Sequence, residues 1–270
     1  MLKGIKKQIM RNSDMLRINR IQIDYFLKIN QPGSGKRKLS IKYNNNKYIF
    51  EESVIDDDYF ILYSQEKNPL SCVSILLSNK NKNAEIHEIS DFKECMVDTN
   101  TKVGSTLLKI TIKMLKKYKD TFNIKTVTLS DNSLKYCSSN KKRIILSQML
   151  ILLNGETWHG RYNFRPFDLI TQKLDKLLNK KYEENINIMN KITIKDANIL
   201  KYIKMTKKEA FIRGITQLLE YNPNMLLKEF LNNFLKDYDE TCELFSIFYK
   251  KLFIDIGLYN FHKQTFGLVL

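Results

Sequence analysis

The sequence has little cysteine, histidine and tryptophan, few acidic residues, and no long apolar run. Its four cysteines, Cys72, Cys95, Cys137 and Cys242, are scattered without a C-x-x-C pair. That spacing predicts neither a disulfide framework nor a cysteine-based zinc site, and it makes a reducing, cytoplasmic setting the expectation. No apolar stretch approaches the ~20 residues of a membrane span. The N-terminus lacks the apolar core of a signal peptide. No membrane partner is expected. The three histidines, His87, His159 and His262, share no metal-ligand spacing with one another or with a cysteine, so no metal is expected. A G-x-S-x-G nucleophile elbow is absent. Pro32-Gly33-Ser34-Gly35-Lys36 has the look of a P-loop, but Asn30 and Arg37 stand where that motif needs glycine and Ser/Thr. It reads as a polar, basic turn.

What is present is a hydrophobic fraction of 43%, enough for a sizeable core over 270 residues. The formal charge is +16, from 45 Lys+Arg against 29 Asp+Glu. Such an excess makes an anionic ligand or polyanion plausible and says nothing about fold. Residues 1–43 hold eleven of the basic residues and only Asp14 and Asp24 as acids. The remainder is far closer to balance, and no HTH, RRM or zinc-finger signature is found. Nucleic acid is therefore a partner the sequence allows without favouring.

Three zones follow from patterning. Residues 1–37 form a basic N-terminal segment with patchy helical periodicity, read as a helix covering a surface. Residues 38–170 open with strands. Lys38–Tyr43 and Lys47–Phe50 flank a triple-Asn turn, and Tyr59–Tyr63, Leu70–Leu77 and Ala84–Ile89 follow as a meander. The period then changes. Val103-Gly104-Ser105 opens an amphipathic helix carrying Leu107, Leu108, Ile110, Met114 and Leu115. Ile124–Leu129 is a β-branched strand. Lys142–Leu153 is an apolar helix stopped by Asn154-Gly155. Trp158–Pro166 is an aromatic segment around Gly160. Residues 171–270 read as a wholly helical C-terminal subdomain. In it, Thr206-Lys-Lys-Glu209 is a capping box, and helices span Met225–Leu235 and Glu240–Ile256.

The order of strand meander, glycine-led helix, strand, helix and aromatic segment resembles the GNAT (GCN5-related) N-acetyltransferase superfamily. The resemblance covers roughly residues 50–167. Tyr59–Leu77 stand as strands two and three, Ala84–Ile89 as strand four, Val103–Leu108 as the cofactor helix and Thr126–Leu129 as strand five. Trp158-His-Gly-Arg-Tyr-Asn-Phe164 ends the last motif. It implies an α/β fold with a mixed sheet, carrying a basic N-terminal extension and an all-helical C-terminal extension. It also implies transfer of an acetyl group from acetyl-CoA to a primary amine by direct attack. Asn100, Thr101, Lys102, Val103, Gly104 and Ser105 would hold the pyrophosphate at a helix N-terminus, with Asn132 a further cofactor contact. Thr99 and Lys102 replace two of the three signature residues of the family's loop. His159 falls where the family has a tyrosine that protonates the leaving thiolate. A histidine is competent for that step. Glu88, late in strand four, is the expected general base. Asp131 and Ser133 stand beside Asn132 after strand five. The Lys-, Asn- and Ile-rich composition points to an AT-rich genome, with a large DNA virus as expected source and host cytoplasm or virion as location. Two other readings remain: a GNAT-shaped binding or structural protein without catalysis, and a basic nucleic-acid-binding protein. The C-terminal helices are an expected packing or oligomer surface.

Overall fold

The computed structural model describes residues 37–55, 58–64, 71–78, 80–90, 93–95, 103–137 and 142–270. The basic N-terminal segment, Arg37 apart, lies outside them. The architecture is mixed α/β, with seven α-helices among the described residues. It divides into two compact units, Met1–Ile124 and Lys125–Leu270. No helix among the described residues is long and apolar enough to cross a membrane.

The first unit is an antiparallel meander of β1 (Arg37–Tyr43), β2 (Asn46–Ile55), β3 (Asp58–Tyr63), β4 (Val73–Ser78) and β5 (Asn83–Ile89). In β1, Leu39 and Ile41 turn inward while Lys38 and Lys42 stay exposed, the period-two alternation of a half-buried strand. The β1–β2 turn places Asn44 and Asn45 at φ 46° and 62°. Asparagine tolerates this left-handed region, which matches the twist of a two-residue hairpin. The helix α1 (Val103–Tyr118) buries Leu107, Leu108, Ile110, Met114 and Leu115. At roughly 2 kcal/mol for each large side chain withdrawn from water, that stripe fixes the helix on the sheet. Its C-terminal half is tied to β1: Lys113 and Lys117 ammonium groups donate to the carbonyls of Lys42 and Ser40, both at 2.9 Å.

The second unit is built around β6 (Thr126–Ser130), β9 (Arg165–Asp168), β10 (Lys173–Leu174) and β11 (Thr265–Val269). The last strand, β11, pairs antiparallel with β6 on one side and β9 on the other. A separate ribbon pairs β7 (Leu134–Tyr136) with β8 (Arg143–Ile145). The helices are α2 (Leu146–Asn154), α3 (Lys176–Lys191), α4 (Ile199–Ile203), α5 (Glu209–Tyr221), α6 (Leu227–Phe234) and α7 (Tyr238–Asp255). They pack around Phe230, Phe245, Phe248, Leu252 and Phe253, all buried.

Four expectations are corrected here. Residues 171–270 are not wholly helical. Strands β10 and β11 belong to them, so the helices are an insertion ahead of the final strand. Gly267 is required inside β11. Any Cβ there would overlap the Phe167 ring. Asn185 of α3 leads the chain back, donating to the Tyr259 carbonyl and accepting from its N–H, both at 2.8 Å. The helix expected from Lys142 begins at Leu146, because Arg143–Ile145 is claimed by the ribbon. Gly155 does cap it, at φ 84° with its N–H on the Ile151 carbonyl. The Thr206 capping box does not form. The Thr206 hydroxyl donates to Ile203 O, closing a 3-10 turn, and α5 starts at Glu209.

Finally, all four cysteines are paired: Cys72 with Cys95 and Cys137 with Cys242. Their Cα atoms lie 5.5 and 5.7 Å apart, the span a disulfide needs. Spacing along the chain carried no information about approach in space, so the argument for a reducing setting loses its premise.

Candidate functional site

In the first unit, Val103, Gly104 and Ser105 form the opening turn of α1, each half-buried. The first turn of a helix presents N–H groups without intrahelical acceptors and a partial positive charge. No acidic residue occupies that turn, so its donor set suits an anion. Asn100, Thr101 and Lys102 lie outside the described residues.

Glu88 is half-buried in β5, just past a bulge. The β4–β5 register pairs Ser74 with Glu88 but Ile75 with Ile86, which leaves His87 unpaired. A bulge re-aims the side chains that follow it. The simple period-two alternation of a strand therefore does not carry through β5. Two hydroxyls hold the carboxylate: Ser71 Oγ is 3.2 Å from Oε2 and Ser90 Oγ is 3.2 Å from Oε1. The disulfide from Cys72 to Cys95 starts next to Ser71 and secures this corner. Ser90 N–H donates to Cys72 O at 2.9 Å.

The second unit holds the more informative arrangement. Asp131 directly follows β6, and its backbone is fixed from both sides: its N–H donates to Gln264 O, and Lys263 N–H donates to its carbonyl. Its carboxylate Oδ2 lies 3.4 Å from His159 Nδ1, with the two side chains 2% and 7% exposed. His159 sits in the 3-10 turn His159–Tyr162, its ring edge-on to Trp158 at 4.9 Å and to Phe164 at 6.4 Å, with Phe266 of β11 at 6.2 Å. His159 is thus buried in an aromatic enclosure. Neither Asp131 Oδ1 nor His159 Nδ1 has a hydrogen-bond partner. Leaving such groups buried and unbonded is costly, and a catalytic role is one reason for it. With Nδ1 turned to a carboxylate, Nε2 is the nitrogen left to exchange a proton.

Behind this pair the 3-10 turn is clamped. Tyr182 of α3 donates to Glu156 Oε2 at 3.1 Å. Burial first, and the Glu156 charge second, push the Tyr182 hydroxyl well above its ordinary pKa, so it stays a donor. One Arg165 guanidinium nitrogen donates to Gly160 O and Phe164 O, both at 3.0 Å, and the group stacks over the Tyr182 ring. Gly160 has no room for a side chain beneath the Tyr182 hydroxyl.

Of the residues expected from sequence, Glu88, Val103, Gly104 and Ser105 fall in the first unit, and Asn132 and His159 in the second. Asn132 is exposed, its N–H on Ser130 O at 3.1 Å. The pairing of His159 with Asp131 was missed, as were Glu156, Arg165 and Tyr182. Asp131 and Tyr182 lie far from His159 along the chain, and no local pattern joins them to it. Among the described residues no group of three or more His, Cys, Asp or Glu is placed to hold a metal. Comparison with protein-family models, with curated proteins and with solved structures finds no match.

Proposed function

We propose that the chain is a GNAT-like N-acetyltransferase that moves the acetyl group of acetyl-CoA to a primary amine. The observation that carries the reading is the buried His159–Asp131 pair, an imidazole held at 3.4 Å from a carboxylate at the end of β6. The element order of the first unit supports it: a meander, then a helix opening on Val103-Gly104-Ser105. In the reaction the amine attacks the thioester carbonyl, loses a proton, and the thiolate departs and gains one. Glu88 takes the amine proton. His159 delivers a proton to the thiolate, with Asp131 orienting the ring and balancing its positive form. The N–H groups at the start of α1, with Asn100, Thr101 and Lys102 before them, bind the pyrophosphate.

Calorimetric titration with acetyl-CoA tests this. Saturable binding is expected, weakened at least about tenfold by Gly104→Glu, which sets a carboxylate against the phosphates. His159→Gln and Asp131→Asn are expected to keep binding and to lower turnover by about 10²–10⁴-fold. No binding by a folded protein removes the reading. Binding without turnover on any amine favours the second reading, a GNAT-shaped binding protein, for which the replaced signature positions Thr99 and Lys102 speak.

A further inference from the structure

Exposed apolar side chains scattered singly are ordinary on a protein surface. Here they are not scattered. Four of the eleven exposed large apolar side chains among the described residues, Leu169, Ile170, Leu174 and Leu177, fall within nine consecutive residues. Ile170 is 94% exposed at the tip of the β9–β10 turn, and Leu177 is 68% exposed in the first turn of α3.

The turn that carries them is rigidly built. Asp168 accepts from Ile170 N–H at 2.8 Å and from the Thr171 hydroxyl at 2.9 Å. Gln172 Nε2 donates to Leu169 O at 2.7 Å. At the base, Asp175 caps α3 by accepting from Leu178 N–H, and Asn179 donates to Pro166 O. Both acids of the segment are thus turned back onto its own backbone. Lys173 and Lys176 are exposed and enter no ion pair among the described residues.

We propose that the β9–β10 turn is an anchor for an anionic bilayer surface, with Ile170 and its aliphatic neighbours entering the headgroup boundary and Lys173 and Lys176 meeting lipid phosphates. Aliphatic residues on a convex tip flanked by cations match the depth order of that surface, hydrocarbon beneath negative headgroups. A preorganised tip loses little conformational freedom on insertion. No spanning helix is needed for such a contact. Other occupants fit less well. Two copies meeting here would oppose lysine to lysine, and β10 offers only two residues for edge pairing. Single-stranded nucleic acid is bound on aromatic platforms, which this tip lacks.

Co-sedimentation of the full chain with phosphatidylcholine vesicles, with and without phosphatidylserine, tests the proposal. Binding is expected only to the mixed vesicles. Ile170→Asn, which leaves the charge unchanged at a solvent-facing turn position, is expected to cut the partition coefficient roughly tenfold or more. Lys173→Gln and Lys176→Gln are expected to cut it about fivefold each. Circular dichroism checks that each variant is folded. Binding that Ile170→Asn and Leu177→Asn leave unchanged would place the lipid contact elsewhere on this basic chain and overturn the proposal. So would equal binding to both vesicle types, or binding to neither. Self-association abolished by Ile170→Asn, without vesicle binding, would overturn it in favour of a contact between copies.

Discussion

At residue 160 there is no space for a methyl group: it would overlap the Tyr182 hydroxyl, at the end of a rigid ring that is 1% exposed. The ring is held by Glu156 on its hydroxyl and by the Arg165 guanidinium on its face. Relief by simple rotation is therefore closed. Gly160→Ala is expected to cost about 1–3 kcal/mol, the ordinary cost of overpacking. Tyr182→Phe alone is expected to cost about 1 kcal/mol for the lost hydrogen bond. In the Tyr182→Phe background, Gly160→Ala should cost less, because the overlapped oxygen is gone. Urea denaturation of the four proteins gives the coupling directly, and additive losses would mean that the two residues do not meet. Gly160 was legible in the sequence only as part of an aromatic segment. Its reason for being glycine sits on α3, a different element.

Between elements, the two disulfides act within separate units. Cys72–Cys95 lies in the first, joining the start of β4 to the 3-10 turn Lys93–Cys95. Cys137–Cys242 lies in the second, joining the ribbon to α7. The sequence separations are 23 and 105 residues. Loop-closure entropy assigns about 3.4 kcal/mol to the shorter loop and about 4.7 kcal/mol to the longer. Replacing Cys137 and Cys242 by serine should therefore lower stability more than replacing Cys72 and Cys95. Reductant should shift the melting point of the natural protein and leave a four-serine variant unmoved. Equal melting with and without reductant would mean that the thiols are not joined. The elements themselves differ in legibility. α1 was readable because five apolar residues recur at helical spacing, and the stop of α2 because Gly155 follows an apolar run. The β7–β8 ribbon was not. Its strands are three residues each: Leu134, Lys135 and Tyr136 are all exposed, so no inward face marks β7, and in β8 only Ile144 is buried.

For the molecule as a whole, pH acts through five described carboxylates in opposite directions. Hydrogen bonds hold Asp168, Asp196, Asp255 and Glu184 below their ordinary pKa: from Thr171 for Asp168, Thr193 for Asp196, Lys201 for Asp255 and Lys181 for Glu184. A carboxylate lowered in the folded state contributes stability that is present above its unfolded value and lost as pH falls through the folded one. Glu52 goes the other way. Burial raises it, against the partial pull of Arg37, and its Oε2 has no hydrogen-bond partner. A raised carboxylate contributes stability below its unfolded value that is lost as pH rises through the folded one. The melting point should therefore fall as pH drops below about 4, the ordinary carboxylate range. Glu52→Gln should raise it at neutral pH and lose that advantage in acid. A Glu52→Gln advantage that persists unchanged in acid would show that the carboxylate's charge is not the cause. The formal charge of +16 grows as these groups protonate, and self-repulsion adds to the loss.

Amino-acid order alone determined what depends on near neighbours: the meander from β1 to β5, the face α1 buries, the turn at Asn44-Asn45 and the glycine stop at Gly155. Each rests on contacts within a few residues or on a repeating period, and both are written in the order of side chains. Tertiary structure alone decided what depends on approach between distant residues. That includes β11 lying between β6 and β9, the cysteine pairs, the burial of His159 against Asp131, and the display of Ile170 at a braced tip. Hydrogen bonds of an inserted strand, a disulfide and a buried imidazole each need a partner that only folding brings near. The bulge at His87 belongs with these, since one unpaired residue shifts the face of Glu88 without changing the strand's composition.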